Sequence, residues 1–451
     1  MNEDVEKKAL EYHSGEKPGK IEVMPTKPLE SVDDLSLAYT PGVAAPVKEI
    51  SGEKWKAYRY TNKGNLVAVV SNGSAVLGVG NVGAEASKPV MEGKAMLFKA
   101  FADIDAFDIE LSDEEPDKFI ATVQSLSPTF GGINLEDIKA PECFYIEEKL
   151  RRLLDIPVLH DDQHGTAVVI SAALMNACKI KEKKLERIKA VISGAGAAGL
   201  STARMLSQIG VPKENIIMVD SKGVINKLRK DLNSVKQEFA TDIPAATLAE
   251  AMINADVFIG VSKGNVLKEH DLEVMADNPI IFALANPVPE ISYGRAVHTR
   301  PDAIIATGRT DLPNQINNAI VFPYLFRGAL DTLATTINSA MLQAAANAVA
   351  RIAQEPVPEC IEKRYGCRLT FGKDYLLPKM GDIRLLAEVS SAVAQAAMES
   401  GVARRRIVSF IEYRDTLLAR VEKSSLFCHG SLRHHSKIRN HSGEESRLHK
   451  I

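Results

Sequence analysis

Apolar and polar positions divide the chain into stretches with different rhythms. Between Tyr60 and Asp162, short apolar runs alternate with segments of helical spacing. Leu66–Val70 and Ala75–Val79 read as strands, Lys88–Phe101 as a helix, Ala106–Leu111 as a strand and Pro141–Leu154 as a helix. His164–Ile180 is apolar with no breaker after Gly165, the pattern of a buried helix joining two halves, and it places a boundary near Asp162. Beyond it, almost purely apolar runs recur at Ala190–Ser193, Ile216–Asp220, Val257–Val261, Ile280–Ala283 and Ala303–Ala306, separated by helix-sized segments. Runs of this kind suit strands covered on both faces, as in a parallel sheet sandwiched by helices. The expected fold is therefore α/β, with a first α/β domain followed by a doubly wound Rossmann-type domain. The polar stretch to Pro28 is interrupted by Gly15, Pro18, Gly19 and Pro25 and reads as an arm laid over the rest. The divisions are then an arm at 1–28, a first domain at 29–162, the Rossmann-type domain at 163–425 and an unassigned tail at 426–451. That tail holds His429, His434, His435, His441 and His449, half of the chain's 10 histidines, and its composition suits a polar tail better than a metal site.

Composition narrows the class without naming it. Apolar residues make up 45% of the 451 and charged residues 25%, ordinary for a globular protein. Lys plus Arg (55) against Asp plus Glu (58) gives −3, which lacks the cationic excess of a general nucleic-acid or membrane-surface binder. The opening MNEDVEKKAL offers no secretory apolar region, and no stretch approaches the roughly 20 apolar residues of a membrane helix. Five scattered cysteines without CxxC spacing fit a reducing, cytoplasmic setting better than a disulfide framework.

One motif is specific in its context. Val191-Ile192-Ser193-Gly194-Ala195-Gly196-Ala197-Ala198-Gly199 reads as a strand, then GxGxxG, then a helix through Leu206, and Asp220 ends the next strand 21 residues after Gly199. Gly194 would permit the tight turn, Gly196 the approach of backbone to a pyrophosphate, and Gly199 close helix packing, with the helix N-terminus facing the phosphates. Glycines used for packing alone are the blander alternative.

Two acid pairs follow apolar runs: Glu136-Asp137 after Gly131–Leu135, and Asp161-Asp162 after Ile156–Leu159. Grouped carboxylates repel unless a cation sits among them, and three oxygens plus waters and a substrate would suit Mg²⁺ or Mn²⁺. Taken alone, each pair is more often a helix cap or a solvated surface. Tyr39 by itself is a packed aromatic and Lys94 a surface lysine.

YTPGVAAP, TNKGNLVAVVSNGSAVLGVGNVGA, KPVMEGKAMLFK, GGINLEDIKAPECF, DDQHGTA, ANPVPE and TGRTDLPNQINNAIVFPYLFRGALD stand in the order and spacing of malic enzymes, from about residue 15 to 420. The chain resembles that family, its bacterial type above all. The resemblance implies that Glu136, Asp137 and Asp162 bind the divalent metal with Asp161 beside them, that Lys94 is the general base and that Tyr39 is the general acid. It also implies substrate contacts at Asn286 and Asn318, and a nucleotide site that includes Thr166, Asn286, Asn318, Asp220 and the turn Gly194, Ala195, Gly196, Ala197, Ala198 and Gly199. The implied activity is oxidative decarboxylation of malate to pyruvate and CO₂ with reduction of NADP or NAD, in a homodimer. A base acting on the hydroxyl must be neutral, so burial and an adjacent cation would have to pull Lys94 down from the ordinary ~10.4. Ala75 stands where the animal and plant branch has a substrate-pairing arginine, which leaves Ser74, the metal and the asparagines to grip the substrate. The phosphotransacetylase-like domain that many bacterial relatives carry is not recognised in this sequence. Asp220 by itself favours NAD; Lys222 and Lys227 offer charge to a 2′-phosphate, and the resemblance inclines to NADP, with NAD a usable second cofactor. A 2-hydroxy-acid dehydrogenase that does not decarboxylate, or a silent regulatory homologue, are the competing readings.

Overall fold

The computed structural model describes residues 3–14, 17–76, 78–112 and 115–421. The tail at 426–451 lies outside them. Among the described residues, the strands form a four-stranded and a six-stranded sheet. The first is wholly parallel: β1 (Leu66–Ser71), β2 (Asp105–Glu110), β3 (Gly132–Leu135) and β4 (Val158–His160), in the order β2-β1-β3-β4. Its centre is dry on both sides. Leu66, Ala68 and Val70 of β1 face one apolar core while Val67 and Val69 face the other, as the two-residue pleat requires.

The second sheet holds β5 (Ala190–Ser193), β6 (Ile216–Asp220), β7 (Gly223–Val224), β8 (Val257–Gly260), β9 (Ile280–Ala283) and β10 (Ile304–Thr307). Its order, β10-β9-β8-β5-β6-β7, is the doubly wound arrangement with its switch point between β5 and β8; only the two-residue β7 runs antiparallel. Ala190 and Ile192 face one core and Val191 the other, which explains the uninterrupted apolar runs. A helix at Asp161–Ile180 leaves β4 directly and leads into this second half. Its residues from Ala167 to Leu174 are all buried, so it is apolar around its whole circumference because no side of it meets water.

One expectation fails. Ala75–Val79 is not a strand: Gly73, Gly78 and Gly80 take positive φ, and Val76 closes a turn by pairing with Gly80. Glycines that adopt left-handed backbone cannot continue an extended run. Ahead of Gly15, Glu3–Ser14 is helical, with an Asp4–Lys8 ion pair one turn apart at 2.7 Å. The Lys20 backbone donates to Glu92 at 3.0 Å and the Lys20 ammonium to the Pro89 carbonyl at 2.6 Å. No helix among the described residues is long and apolar enough to cross a membrane.

Candidate active site

The two acid pairs converge because β3 and β4 are adjacent and parallel. Leu135 pairs with His160, so Glu136-Asp137 and Asp161-Asp162 both leave the sheet at the same carboxyl edge, where parallel sheets bind ligands. Glu136, Asp137 and Asp162 each bring a carboxylate oxygen within 4.8 Å of the others. The Asp137 backbone N–H donates to Asp162 at 2.9 Å, and its carbonyl accepts from Ala75 N at 2.9 Å. Asp137 takes φ +52°, a left-handed conformation held by these tethers on both sides.

Lys94 comes from the helix Ala84–Ala102, and its ammonium reaches Asp161 at 2.5 Å and Glu136 at 3.0 Å. It also lies over the Phe322 ring, 4.5 Å from the centroid. Burial favours the neutral amine, but Asp161, Glu136 and Asp162 outweigh burial and drive Lys94 upward. The expectation that its surroundings pull it down is therefore met only in part: the protein's own carboxylates keep it charged, and a cation shared among them is what would offset their field. Burial, reinforced by the neighbouring acids, pushes Glu136 well above the ordinary glutamate value despite Lys94. Burial likewise raises Asp161, again against Lys94.

Other expected residues divide. Asn318 belongs here, because its Cβ lies 3.2 Å from where a Cβ on Gly165 would stand; that same Cβ would lie 1.8 Å from the Asp161 carboxylate, so only glycine fits. Asn286 follows β9, and its carbonyl meets the turn at Gly78, which joins the edges of the two sheets. Thr166 is half-buried on the helix that begins with Asp161 and Asp162. Ser74 is buried and spent locally: its hydroxyl donates to Asn72 at 2.6 Å and accepts from Lys139 N at 2.9 Å. Tyr39 is not brought to the cluster. It caps the helix Val32–Ala38, is 69% exposed, and among the described residues no hydrogen bond joins its hydroxyl to Lys94 or the acids.

The glycine turn has the expected shape. Gly194 takes φ +118°, with a Cβ there meeting the Val261 carbonyl at 2.6 Å, and a Cβ on Gly199 would strike the Gly194 carbonyl at 1.8 Å. Gly196 caps the helix Ala197–Gln208 without a side-chain hydrogen bond and faces open space, which leaves a cradle at a helix N-terminus bounded by Ala195, Ala197 and Ala198. Asp220 ends β6 but is tied up: Arg229 grips it through both Nη atoms at 2.8 and 3.0 Å, and Lys236 donates to it at 2.7 Å. Burial would raise Asp220, yet these donors hold it down at about 2. Neither lysine singled out from the sequence puts its ammonium on Asp220. Lys227 pairs with Asp242, and Lys222 reaches Asp231 at 2.8 Å while only its backbone N–H meets Asp220, at 2.9 Å. Arg229, Lys236 and Phe322 are the residues that sequence reasoning missed. Phe322 lies within the TGRTDLPNQINNAIVFPY motif, whereas no spacing rule links positions 220, 229 and 236.

An acidic cluster that could hold a cation at one sheet edge and a glycine-rich turn of dinucleotide-binding shape at the next define the class, a two-sheet α/β fold with a Rossmann-type half. Comparison gives the family. The family model "Malic enzyme, N-terminal domain" matches residues 18–115 and 111–151, and "Malic enzyme, NAD binding domain" matches 163–401. An NADP-dependent malic enzyme of Salmonella typhimurium is 52% identical over 95% of the chain. An NAD-dependent malic enzyme of Rhizobium meliloti is 50% identical over 92%. The crystal structure of a malic enzyme from Pyrococcus horikoshii matches with TM-score 0.86 and 43% identity, covering 97% of this chain and 100% of that one. The chain belongs to the malic enzyme family. It spans 57% and 54% of the lengths of the Salmonella and Rhizobium proteins.

Proposed function

We propose that the chain catalyses oxidative decarboxylation of malate to pyruvate and CO₂ with reduction of NADP, NAD serving as a second cofactor. The observation that carries this reading is Lys94, held between Asp161 and Glu136 at the edge where Glu136, Asp137 and Asp162 gather. Those three residues would hold Mg²⁺ or Mn²⁺; carboxylate oxygens from buried Glu136 and Asp137 and half-buried Asp162 suit a hard divalent cation, and such an ion when bound polarises a substrate oxygen as a Lewis acid. The cradle at Gly194–Gly199 would hold the dinucleotide, whose nicotinamide supplies the hydride acceptor, in the unit at 163–425. With a cation among the acids to offset their field, Lys94 Nζ as the neutral amine would take the proton of the C2 hydroxyl, and Asp161 keeps that amine aimed. Asn286 and Asn318 orient the carboxylates from the second sheet's side, and Phe322 excludes water beneath the lysine. Tyr39 returns a proton to C3 once CO₂ has left.

The exposure of Tyr39 bears on assembly. Leu35, Leu37, Val43 and Val47 are exposed in the same segment, and exposed apolar residues gathered in one stretch are what an interface would cover. We place a homodimer there, its second copy covering the segment and enclosing Tyr39. The free Cys143, Cys178 and Cys367 fit a cytoplasmic setting.

Steady-state assay with malate, Mn²⁺ and each nucleotide, following pyruvate as well as reduced nucleotide, tests the reaction. Pyruvate and reduced nucleotide in equal amounts are expected. Oxaloacetate accumulating without pyruvate would indicate the dehydrogenase that does not decarboxylate, and no turnover the silent homologue. Sedimentation of Leu35→Glu/Leu37→Glu against wild type tests the dimer, with an unchanged dimer placing the interface elsewhere.

A further inference from the structure

The turn that carries Asp161 and Asp162 is held from behind by a residue with no part in the chemistry above, an inference that rests on Glu136, Asp137 and Asp162 holding a cation. Two acids in the first turn of the helix Asp161–Ile180 repel each other, and they are drawn different ways. Asp161 reaches the Lys94 ammonium at 2.5 Å, and Asp162 accepts from the Asp137 backbone N–H at 2.9 Å. His160, which opens this helix, supplies no side-chain cap. The acceptor comes instead from Glu147, a buried side chain on the helix Glu142–Leu153. Its Oε1 accepts from the His160 backbone N–H at 3.2 Å and its Oε2 from Gln163 Nε2 at 3.1 Å. His164 Nε2 sits between the two oxygens, at 2.9 and 3.0 Å, and carries the proton there because a carboxylate only accepts. All three donors thus come from residues that bracket the two acids. Gln163 is held at its other end as well, where its Oε1 accepts from Ser201 of the helix Ala197–Gln208 at 3.3 Å. Pinning the His160 backbone also sets its imidazole beside the cluster. Its Nε2 lies 3.8 Å from Asp162 Oδ2, and neither nitrogen of this buried ring has a hydrogen-bond partner among the described residues.

We propose that Glu147 is a positioning residue for the cation site: by holding residues 160, 163 and 164 it fixes the rotation of the turn, so that Asp162 stands with Glu136 and Asp137 while Asp161 stands with Lys94. A carboxylate is what this task needs. It serves three donors at once, whereas an amide keeps one acceptor oxygen and turns an N–H₂ group on the remaining donors. A buried anion is costly without partners, and here the donors that offset the cost are the ones that set the site.

Calorimetric titration of the full chain with Mn²⁺, in the absence of malate and nucleotide, tests this without turnover. Glu147→Gln keeps the shape of the side chain and should raise the Mn²⁺ dissociation constant by about tenfold or more, the range for losing a group that orients metal ligands. Gln163→Met spares the buried charge and removes one of its donors, so the constant should rise by about two- to tenfold. Glu148→Gln, at the exposed next position where Glu148 pairs with Arg152 at 2.5 Å, should leave it unchanged. NADP⁺ affinity, measured in the presence of a chelator, should stay within about twofold of wild type in all three variants. A Glu147→Gln chain with a lowered melting temperature but a wild-type Mn²⁺ constant overturns the proposal, as does one that loses Mn²⁺ and NADP⁺ affinity in parallel. Should Glu147→Gln not fold, a wild-type constant in Gln163→Met overturns it equally. Absence of Mn²⁺ binding by wild type overturns the cation-site reading itself.

Discussion

Two carboxylate clusters stand at the carboxyl edges of the two parallel sheets, and their charge balances have opposite sign. Beyond β3 and β4, Glu136, Asp137, Asp161 and Asp162 gather, and Glu136 and Asp161 hold the ammonium of Lys94. Beyond β6, Asp220 and Asp231 are outnumbered by Lys222, Arg229 and Lys236. The first cluster is largely buried, and burial, with the like charges behind it, raises Glu136 and Asp161; the second is partly solvated, and its donors outweigh burial to lower Asp220. One edge thus carries an excess of negative charge, the other an excess of positive charge. The same residue type, aspartate after a buried strand, takes opposite roles because the partners that reach it come from elsewhere in the chain.

Lys94→Ala breaks the comparison most severely. It removes the proposed base and the ammonium paired with the acids of the first edge, and kcat is expected to fall by about 10²–10⁴-fold. A wild-type melting temperature in Mn²⁺ would show that the fold survives, and near-normal turnover would remove the role. Next comes Asp162→Asn, which deletes one anionic ligand and should raise the Mn²⁺ requirement by about 10–100-fold in an activation titration. An unchanged activation curve would exclude the residue from the cation site.

A pH experiment sharpens the contrast. Glu136 is raised in the folded state, so the folded chain binds more protons than the unfolded one above the ordinary glutamate value of 4.5. Stability contributed by that group is present below this value and lost as pH rises towards the raised one. Bound cation requires the ionised acids, so Mn²⁺ should raise the melting temperature relative to a chelator-treated sample more at about pH 8 than at about pH 6. An equal shift at both values would mean that the acids are already ionised without the ion. Asp220, held at about 2, should add no such dependence in this range. The smallest expected effect is that of Lys222→Ala. Its ammonium is exposed and paired with Asp231, so NADP⁺ affinity should weaken only about two- to fivefold, in line with ~0.5–1 kcal/mol for a solvated pair.

The chain's own pattern determined a good deal. Apolar runs long enough to be dry on both faces announced the strands, with β5, β6 and β9 ending where the runs end. The glycines of the turn were legible because each answers a local steric demand, such as the 1.8 Å approach of a Gly199 Cβ to the Gly194 carbonyl. The turn at 73–80 was misread because its valines suggest a strand, whereas backbone sign at Gly73, Gly78 and Gly80 decides it. Which charges meet was settled only by tertiary structure. Asp161 reaches back to Lys94 across 67 positions because β4 lies parallel beside β3, whose edge faces the Ala84–Ala102 helix. Arg229, rather than the nearer Lys222 and Lys227, claims the side chain of Asp220 because the antiparallel β7 folds the chain back on β6. Period and steric fit are properties of neighbours in sequence, whereas an electrostatic field sums over neighbours in space, and the sequence does not print those.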